Sequence, residues 1–288
     1  MNPARRTLVR LLQHPRVNFL LTNRVPRRQL TLLMSRISRM EQPWVRRLSI
    51  ALWRSFADVD LSDALESQFR SLHDCFIREL RPGARVIDAD PRVAISPCDA
   101  IVGHCGAFRA GTALQAKGRR YELAELLRDA DLAQQCAAGQ YATLRLTAGM
   151  YHRFHAPHDC TLTRASYIGG DVWNVNPPAL RRVDRLYCRN ERAVLRLRLH
   201  DGQQLLLVPI AAILVAGIRL HSIPHLLNLR HQGVEEFGCD DAFSKGQELG
   251  WFEHGSTIVA ISPPCASLHE AIAPGARIRM GQALFRLP

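Results

Sequence analysis

The sequence predicts an α+β fold, with N-terminal amphipathic helices on a mainly antiparallel β core of sandwich- or barrel-like form. Three observations lead there. Pro15, Pro26 and Pro43 cut residues 1–57 into short units whose apolar residues recur at helical spacing. From about residue 90 the apolar residues come instead in short β-type runs separated by Gly, Pro and Asp turns. Between those runs only Tyr121–Arg128 has clear helical character. At 288 residues, 47% hydrophobic and 22% charged, the chain can bury a substantial core as one large domain or two small ones.

Taken in order, the helical units come first. Leu30, Leu33, Met34 and Ile37 recur at i, i+3, i+4 and i+7, among Arg27, Arg28, Arg36 and Arg39. Val45, Leu48, Leu52, Trp53 and Phe56 form a second stripe beside Arg46, Arg47 and Arg54. Residues 1–57 hold twelve arginines and one acid, Glu41, so +11 of the total charge of +12 sits here. Two roles fit such helices: a layer packed on the core with its basic face in water, or in-plane binding to an anionic membrane. Nucleic acid is disfavoured, because no aromatic stacking platform or DNA-reading motif accompanies the charge.

The predicted strands are Val93–Ser96, Ile101–Gly106, Tyr141–Thr147, Cys160–Ile168, Ala193–His200, Gln204–Leu220 and Ser256–Ile261. Lys245-Gly-Gln-Glu-Leu-Gly-Trp-Phe252 is echoed in Met280-Gly-Gln-Ala-Leu-Phe-Arg-Leu287, which predicts two equivalent hairpin elements. The eight cysteines form no C-x-x-C pair, a pattern of reduced cytosolic thiols. No stretch reaches 18 uncharged apolar residues, so no membrane span is expected, and Arg10 interrupts the only candidate signal-peptide core.

Three places carry candidate chemistry. Gly255-Ser256 stands in a turn before the last predicted strand. There the Ser hydroxyl can attack the unshielded Gly carbonyl and turn the amide into an ester. β-Elimination and hydrolysis would then leave a pyruvoyl group at the new chain end. Tyr151-His152-Arg153-Phe154-His155-Ala156-Pro157-His158-Asp159 holds three histidines at three-residue intervals. It suits acid–base work, an ordinary polar loop, or a metal site of His152, His155, His158 and Asp159, although the spacing fits no common zinc pattern. Asp99, in Ser96-Pro-Cys-Asp-Ala-Ile-Val102, is a turn residue that could orient a histidine in a Ser/His/Asp arrangement.

Asp99, Tyr151–Pro157 and Gly255-Ser256-Thr257, in this order and spacing, resemble the phosphatidylserine decarboxylase family of pyruvoyl-dependent proenzymes. The likeness extends through Phe76–Asp88, Leu114–Gly118, Gly170-Asp171 with Val175-Asn176, Arg189–Arg192 and Lys245–Gly250. It implies self-cleavage at Gly255-Ser256 into a long β chain, 1–255, and a short α chain, 256–288, that begins with pyruvoyl. Asp99 and His155 match the family's residues that activate the serine. The amine of phosphatidylserine would then condense with the pyruvoyl ketone, whose conjugated carbonyl takes up the electron pair left by CO₂. His152 would protonate the resulting carbon or hold the headgroup, giving phosphatidylethanolamine. No metal and no pyridoxal phosphate is implied. The two chains would remain an α/β heterodimer, with further dimerisation open.

The resemblance also favours the membrane role for residues 1–57, as a basic membrane-association segment preceding a catalytic core at 58–288. It implies peripheral attachment at the cytoplasmic face of the cell membrane. Two departures stand out. His254 replaces the family's usual Leu, and Cys98-Asp99-Ala100 replaces Ala-Asp-Gly, which would strain the backbone by about 1 kcal/mol if that glycine has positive φ. The alternatives are an unprocessed, non-catalytic homologue and a pyruvoyl decarboxylase for another serine phospholipid or amine. A metal hydrolase built on the histidines is the remaining one.

Overall fold

The computed structural model describes residues 14–288 apart from Lys117 and residues 215–216, 230–232 and 254–255. The helical unit expected before Pro15, and His254 and Gly255 of the expected cleavage site, lie outside the described residues, as does the Ser256 side chain.

Three helices open the described chain: α1 (Pro15–Asn23), α2 (Arg27–Ser38) and α3 (Pro43–Phe56), followed by the short α4 (Leu72–Phe76). Proline begins α1 and α3, where its missing N–H costs no hydrogen bond. The Ser71 side chain caps α4 by accepting from the Asp74 N–H at 3.1 Å. The core continues with β1 (Val93–Ile95), β2 (Ala100–Ala107), β3 (Thr112–Ala116), β4 (Arg119–Glu122), α5 (Leu123–Leu127), α6 (Ala130–Cys136), β5 (Gln140–Arg145), β6 (Arg153–His155) and β7 (Cys160–Ile168). Next come α7 (Pro177–Leu180), α8 (Leu186–Arg189), β8 (Arg192–Leu199), β9 (Gln204–Ala211), β10 (Ile218–Leu220) and β11 (Val234–Phe243). The chain closes with β12 (Glu248–Phe252), β13 (Ser256–Ile261), β14 (Ser267–Leu268), β15 (Arg277–Ile278) and β16 (Ala283–Arg286).

Eight strands form one open antiparallel sheet in the order β11-β7-β8-β9-β13-β5-β2-β15. Two three-stranded sheets, β10-β12-β6 and β1-β16-β14, and the hairpin β3-β4 complete the β structure among the described residues. β9 and β13 lie in the middle of the large sheet, and that explains their unbroken apolar sequence. Ile258 and Ala260 enter one core with Leu205, Leu207, Phe154, Phe252 and Phe285. Val259 and Ile261 enter a second core with Val208, Ile210, Tyr121, Leu126 and Leu132. The central sheet is therefore covered by small sheets on one face and by short helices on the other. Each fully buried Leu, Ile or Phe in these layers contributes about 1.5–3 kcal/mol.

Two predicted elements take a different form. Tyr121 belongs to β4, and the helix runs only from Leu123 to Leu127. Arg128 turns left-handed at φ 55°, and the Asp129 side chain then caps a second helix, α6, by accepting from Leu132. The run Gln204–Leu220 stops at Ala211 and resumes at Ile218.

The sequence echo corresponds to two alike turns. Gly246 and Gly281 both have positive φ, 82° and 93°. The Gln after each folds back so that its side-chain oxygen accepts a backbone N–H three residues earlier, from Ser244 and Arg279 respectively. Both turns press on Ile87, where a Cβ at either glycine would come within 2.9 Å or 3.1 Å of its Cδ1.

Candidate active site

β2 and β13 each pair antiparallel with β5, so both start at the same end of the central sheet. Thr257, Arg145 and Ile101 lie side by side in that row. This register brings Asp99, just before β2, and the Ser256 backbone to the same end of the sheet, though they are 157 residues apart in sequence. Ser256 opens β13 opposite Ala211 of β9. Ala100 is a buried strand residue without positive φ, so its replacement of glycine introduces no left-handed strain.

Asp99 is buried and fully engaged. Arg85 grips it bidentately, Nε to Oδ1 at 2.9 Å and Nη2 to Oδ2 at 2.6 Å, and the Met280 N–H donates to Oδ1 at 2.9 Å. Arg85 Nη1 also donates to Asp63 at 2.8 Å. Burial alone would lower the Arg85 pKa, but these two carboxylates outweigh it and raise it.

His155 ends β6. Its Nδ1 lies 3.0 Å from the Gly246 carbonyl, which can only accept, so Nδ1 carries the proton. Nε2 therefore keeps its lone pair and accepts from the Tyr151 hydroxyl at 3.0 Å. Burial lowers the His155 pKa, against the raising effects of Glu248 and the Gly246 carbonyl, so the imidazole is neutral at pH 7. Asp99 and His155 share no hydrogen bond among the described residues, and the group orienting His155 Nδ1 is the Gly246 carbonyl.

His152 lies apart from this pair, completely buried. Its ring stacks on Phe76 of α4 with centroids 4.0 Å apart, and Phe76 in turn meets Trp53 of α3 at 5.8 Å. Neither ring nitrogen completes a hydrogen bond of normal geometry among the described residues. Burial, helped by the nearby Arg78 charge, pushes the His152 pKa down to about 3, although the Met150 backbone on one side favours the charged form. The His152 carbonyl accepts from Phe252, four residues before Ser256. His158 turns to the Pro91 carbonyl at 2.8 Å, so the three histidines face three different surroundings. No group of three metal-ligating side chains converges among the described residues.

A cavity of about 490 Å³ opens beside Asp99 and Tyr151, with Arg78, Arg85 and Arg279 in its wall. An adjoining one of about 320 Å³ reaches His155 and Glu248 and shares Arg85 and Tyr151. A larger recess of about 550 Å³, beside Thr161 and Arg198, lies at the far end of the central sheet and shares no residue with either.

Several residues here lie in the family-like segments but were not singled out individually by the sequence. Arg85 and Arg78 are two among 36 arginines. Tyr151 sits inside the histidine motif, and only its place beside His155 distinguishes it. Glu191 is wholly buried. Its Oε2 accepts from the Tyr167 hydroxyl at 2.8 Å while Oε1 completes no hydrogen bond of normal geometry among the described residues, and burial pushes its pKa up to about 8. Its carbonyl receives the Ala211 N–H, one strand from Ser256.

The N-terminal helices meet the core through apolar residues, Phe19, the buried Val45 and Trp53, and through polar ones. Thr31 and Ser38 are the buried residues of α2, and Asn23 at the end of α1 is also buried. Arg27 pairs with Asp171 at 2.6 Å and lies over the Trp173 ring at 3.7 Å, while Asn176 donates to Asn18 at 2.6 Å. The apolar stripes are split: Leu33, Leu48 and Leu52 are exposed, as is the neighbouring Trp44 at 69%, whereas Leu30, Met34, Ile37 and Trp53 are partly buried. Arg36, Arg47 and Arg54 are exposed on the same helices. Packing of the predicted stripes against the core is therefore limited to Val45 and partly buried neighbours.

Residues 72–286 match the sequence pattern of the phosphatidylserine decarboxylase family. Similar proteins include a phosphatidylserine decarboxylase proenzyme of Psychrobacter cryohalolentis, 34% identical over 90% of this chain and 95% of that protein. One of Anaeromyxobacter sp. (strain K) is 36% identical over 90% of this chain and 94% of its own length. Another, of Brevibacillus brevis, is 31% identical over 92% and 95%.

Proposed function

The chain belongs to the phosphatidylserine decarboxylase family, and from that premise we propose that it is a self-processing decarboxylase converting phosphatidylserine to phosphatidylethanolamine and CO₂. The observation that carries this reading is the shared end of the central strands. It holds the Ser256 end of β13 and the buried Asp99–Arg85 pair, beside a cavity that joins the one reaching His155.

In the first stage the Ser256 hydroxyl adds to the Gly255 carbonyl, and the amide nitrogen leaves as the new ester forms. His155 is suited to accept the hydroxyl proton, because its Nδ1 is fixed by Gly246 and its Nε2 lone pair is held only by Tyr151. Asp99, locked by Arg85, supplies a fixed negative charge toward the imidazolium that forms. β-Elimination then breaks the ester Cβ–O bond, and hydrolysis releases ammonia, leaving residues 256–288 with a pyruvoyl end and residues 1–255 as the second chain of a heterodimer.

That pyruvoyl carbonyl would supply the electron sink for decarboxylation. His152 is suited to its neighbourhood, since both ring nitrogens are buried without a partner of normal geometry among the described residues and its backbone is tied to Phe252. As a neutral imidazole it can hold a polar headgroup atom or pass a proton, once the headgroup displaces the dry contact with Phe76. Arg78 and Arg279 bring positive charge to the neighbouring cavity, matching an anionic phospholipid headgroup.

The exposed apolar residues of α2 and α3 are suited to an anionic bilayer. Trp44, Leu48 and Leu52 would enter the headgroup boundary while Arg47 and Arg54 pair with lipid phosphates. No helix among the described residues is long and apolar enough to cross a membrane, in keeping with peripheral attachment. All eight cysteines are free thiols, which fits a reducing compartment and hence the cytoplasmic face. The test is release of CO₂ from phosphatidylserine vesicles by the purified chain and by Ser256→Ala. Activity in the first and none in the second supports the proposal; equal activity in both removes it.

A further inference from the structure

Glu253 is the last described residue before the Gly255-Ser256 bond, and it is buried, an expensive place for a carboxylate without partners. Two side chains of the helical layer reach it. Arg39, just past the end of α2, forms an ion pair with Oε2. His73 of α4 donates to the same oxygen from Nε2 at 2.6 Å. The backbone is pinned as well: the Glu253 N–H donates to the Gly217 carbonyl at 3.0 Å. Gly217 has φ 139°, and a Cβ there would come within 2.9 Å of Glu253 Cγ, so only glycine leaves room for this side chain.

On the other side of the scissile bond the chain is fixed again. Ser256 pairs with Ala211, and Thr257 with both Ile210 and Arg145. Two residues, 254 and 255, bridge these anchors, and three peptide steps span at most about 11 Å. The position of the Gly255 carbonyl therefore depends on where Glu253 is held. α2 holds the neighbouring loops too: Thr31 Oγ1 accepts from the Leu214 N–H at 2.9 Å, and Arg28 donates to the Leu229 carbonyl at 3.0 Å.

We propose that Glu253 is a positioning residue for self-cleavage, tethering the processing loop to the N-terminal helical layer through Arg39 and His73. The inference rests on the self-processing reading above and adds a second task for the Arg-rich segment: Arg39 serves the loop, not lipid. Removal of its charge would let the loop leave its reactive geometry, a displacement of the kind that costs tenfold or more in rate.

The test follows the two-chain fraction over time after a pulse of synthesis, for the full chain and for Glu253→Gln, Arg39→Gln and Arg39→Lys, with melting temperatures alongside. The tether predicts cleavage slowed tenfold or more in Glu253→Gln and Arg39→Gln, and near-normal cleavage in Arg39→Lys, with Arg39→Gln melting close to wild type. Should Glu253→Gln fail to fold, the half-exposed Arg39 pair of variants decides alone. Wild-type rates in Arg39→Gln would overturn the tether while leaving self-processing intact. A wild-type chain that never cleaves would overturn both.

Discussion

Substituting His152 by Leu separates a buried neutral imidazole from an accessible one. In the unfolded chain this histidine titrates near its ordinary value of 6.5, whereas in the fold burial and Arg78 push it down to about 3. Between those two values the unfolded state binds a proton that the folded state does not, so stability falls as pH falls through that window. At pH 5 the unfolded form is favoured by 1.5 pH units, or about 2 kcal/mol at 1.36 kcal/mol per unit. At pH 7 the contribution is nearly zero. Leu has a similar volume, keeps the contact with Phe76 and leaves no orphaned nitrogen. The assay is urea unfolding at pH 7 and pH 5, in a Ser256→Ala background so that both proteins remain single chains. His152→Leu should lose about 2 kcal/mol less than its parent between the two pH values. His155, whose pKa is also lowered, contributes equally to both proteins and cancels. Parallel losses would refute the argument, since they would mean that His152 takes up its proton while folded.

Other consequences concern single contacts. Arg85→Leu leaves the buried Asp99 carboxylate without its guanidinium and should cost about 3–5 kcal/mol in urea unfolding, much of it recovered by adding Asp99→Asn. Leu48→Asp with Leu52→Asp should weaken sedimentation with anionic vesicles at least tenfold while shifting the melting temperature little, because both side chains already face solvent. Ala100→Gly, which restores the family's usual residue, should destabilise the strand by about 0.5–1 kcal/mol without speeding chain cleavage, because Ala100 carries no left-handed strain.

Much of the β core was legible, though not by a single mark. Ser256–Ile261 has the bounds that its apolar run Ile258–Ile261, buried on both faces, predicts, and Cys160–Ile168 has those of a mixed polar and apolar stretch between turns. α6 was not legible: seven Ala- and Gln-rich residues present less than two full turns of pattern, and its start depends on the Asp129 cap. The N-terminal stripes were visible as periodicity, but periodicity says nothing about which side meets the core. That is decided by polar contacts such as Arg27–Asp171 and Asn176–Asn18, which join segments more than 140 residues apart. At the site, Asp99, His152 and His155 stood out through their motifs. Arg85, Tyr151 and Glu253 did not, because their roles arise only from the neighbours that folding brings to them.

The most direct test of the central claim is the intact mass of the purified, denatured protein. Self-processing predicts two chains broken between residues 255 and 256, the 33-residue C-terminal piece carrying a pyruvoyl end in place of its amino group. A single chain of 32.4 kDa with Ser256 unmodified would contradict it.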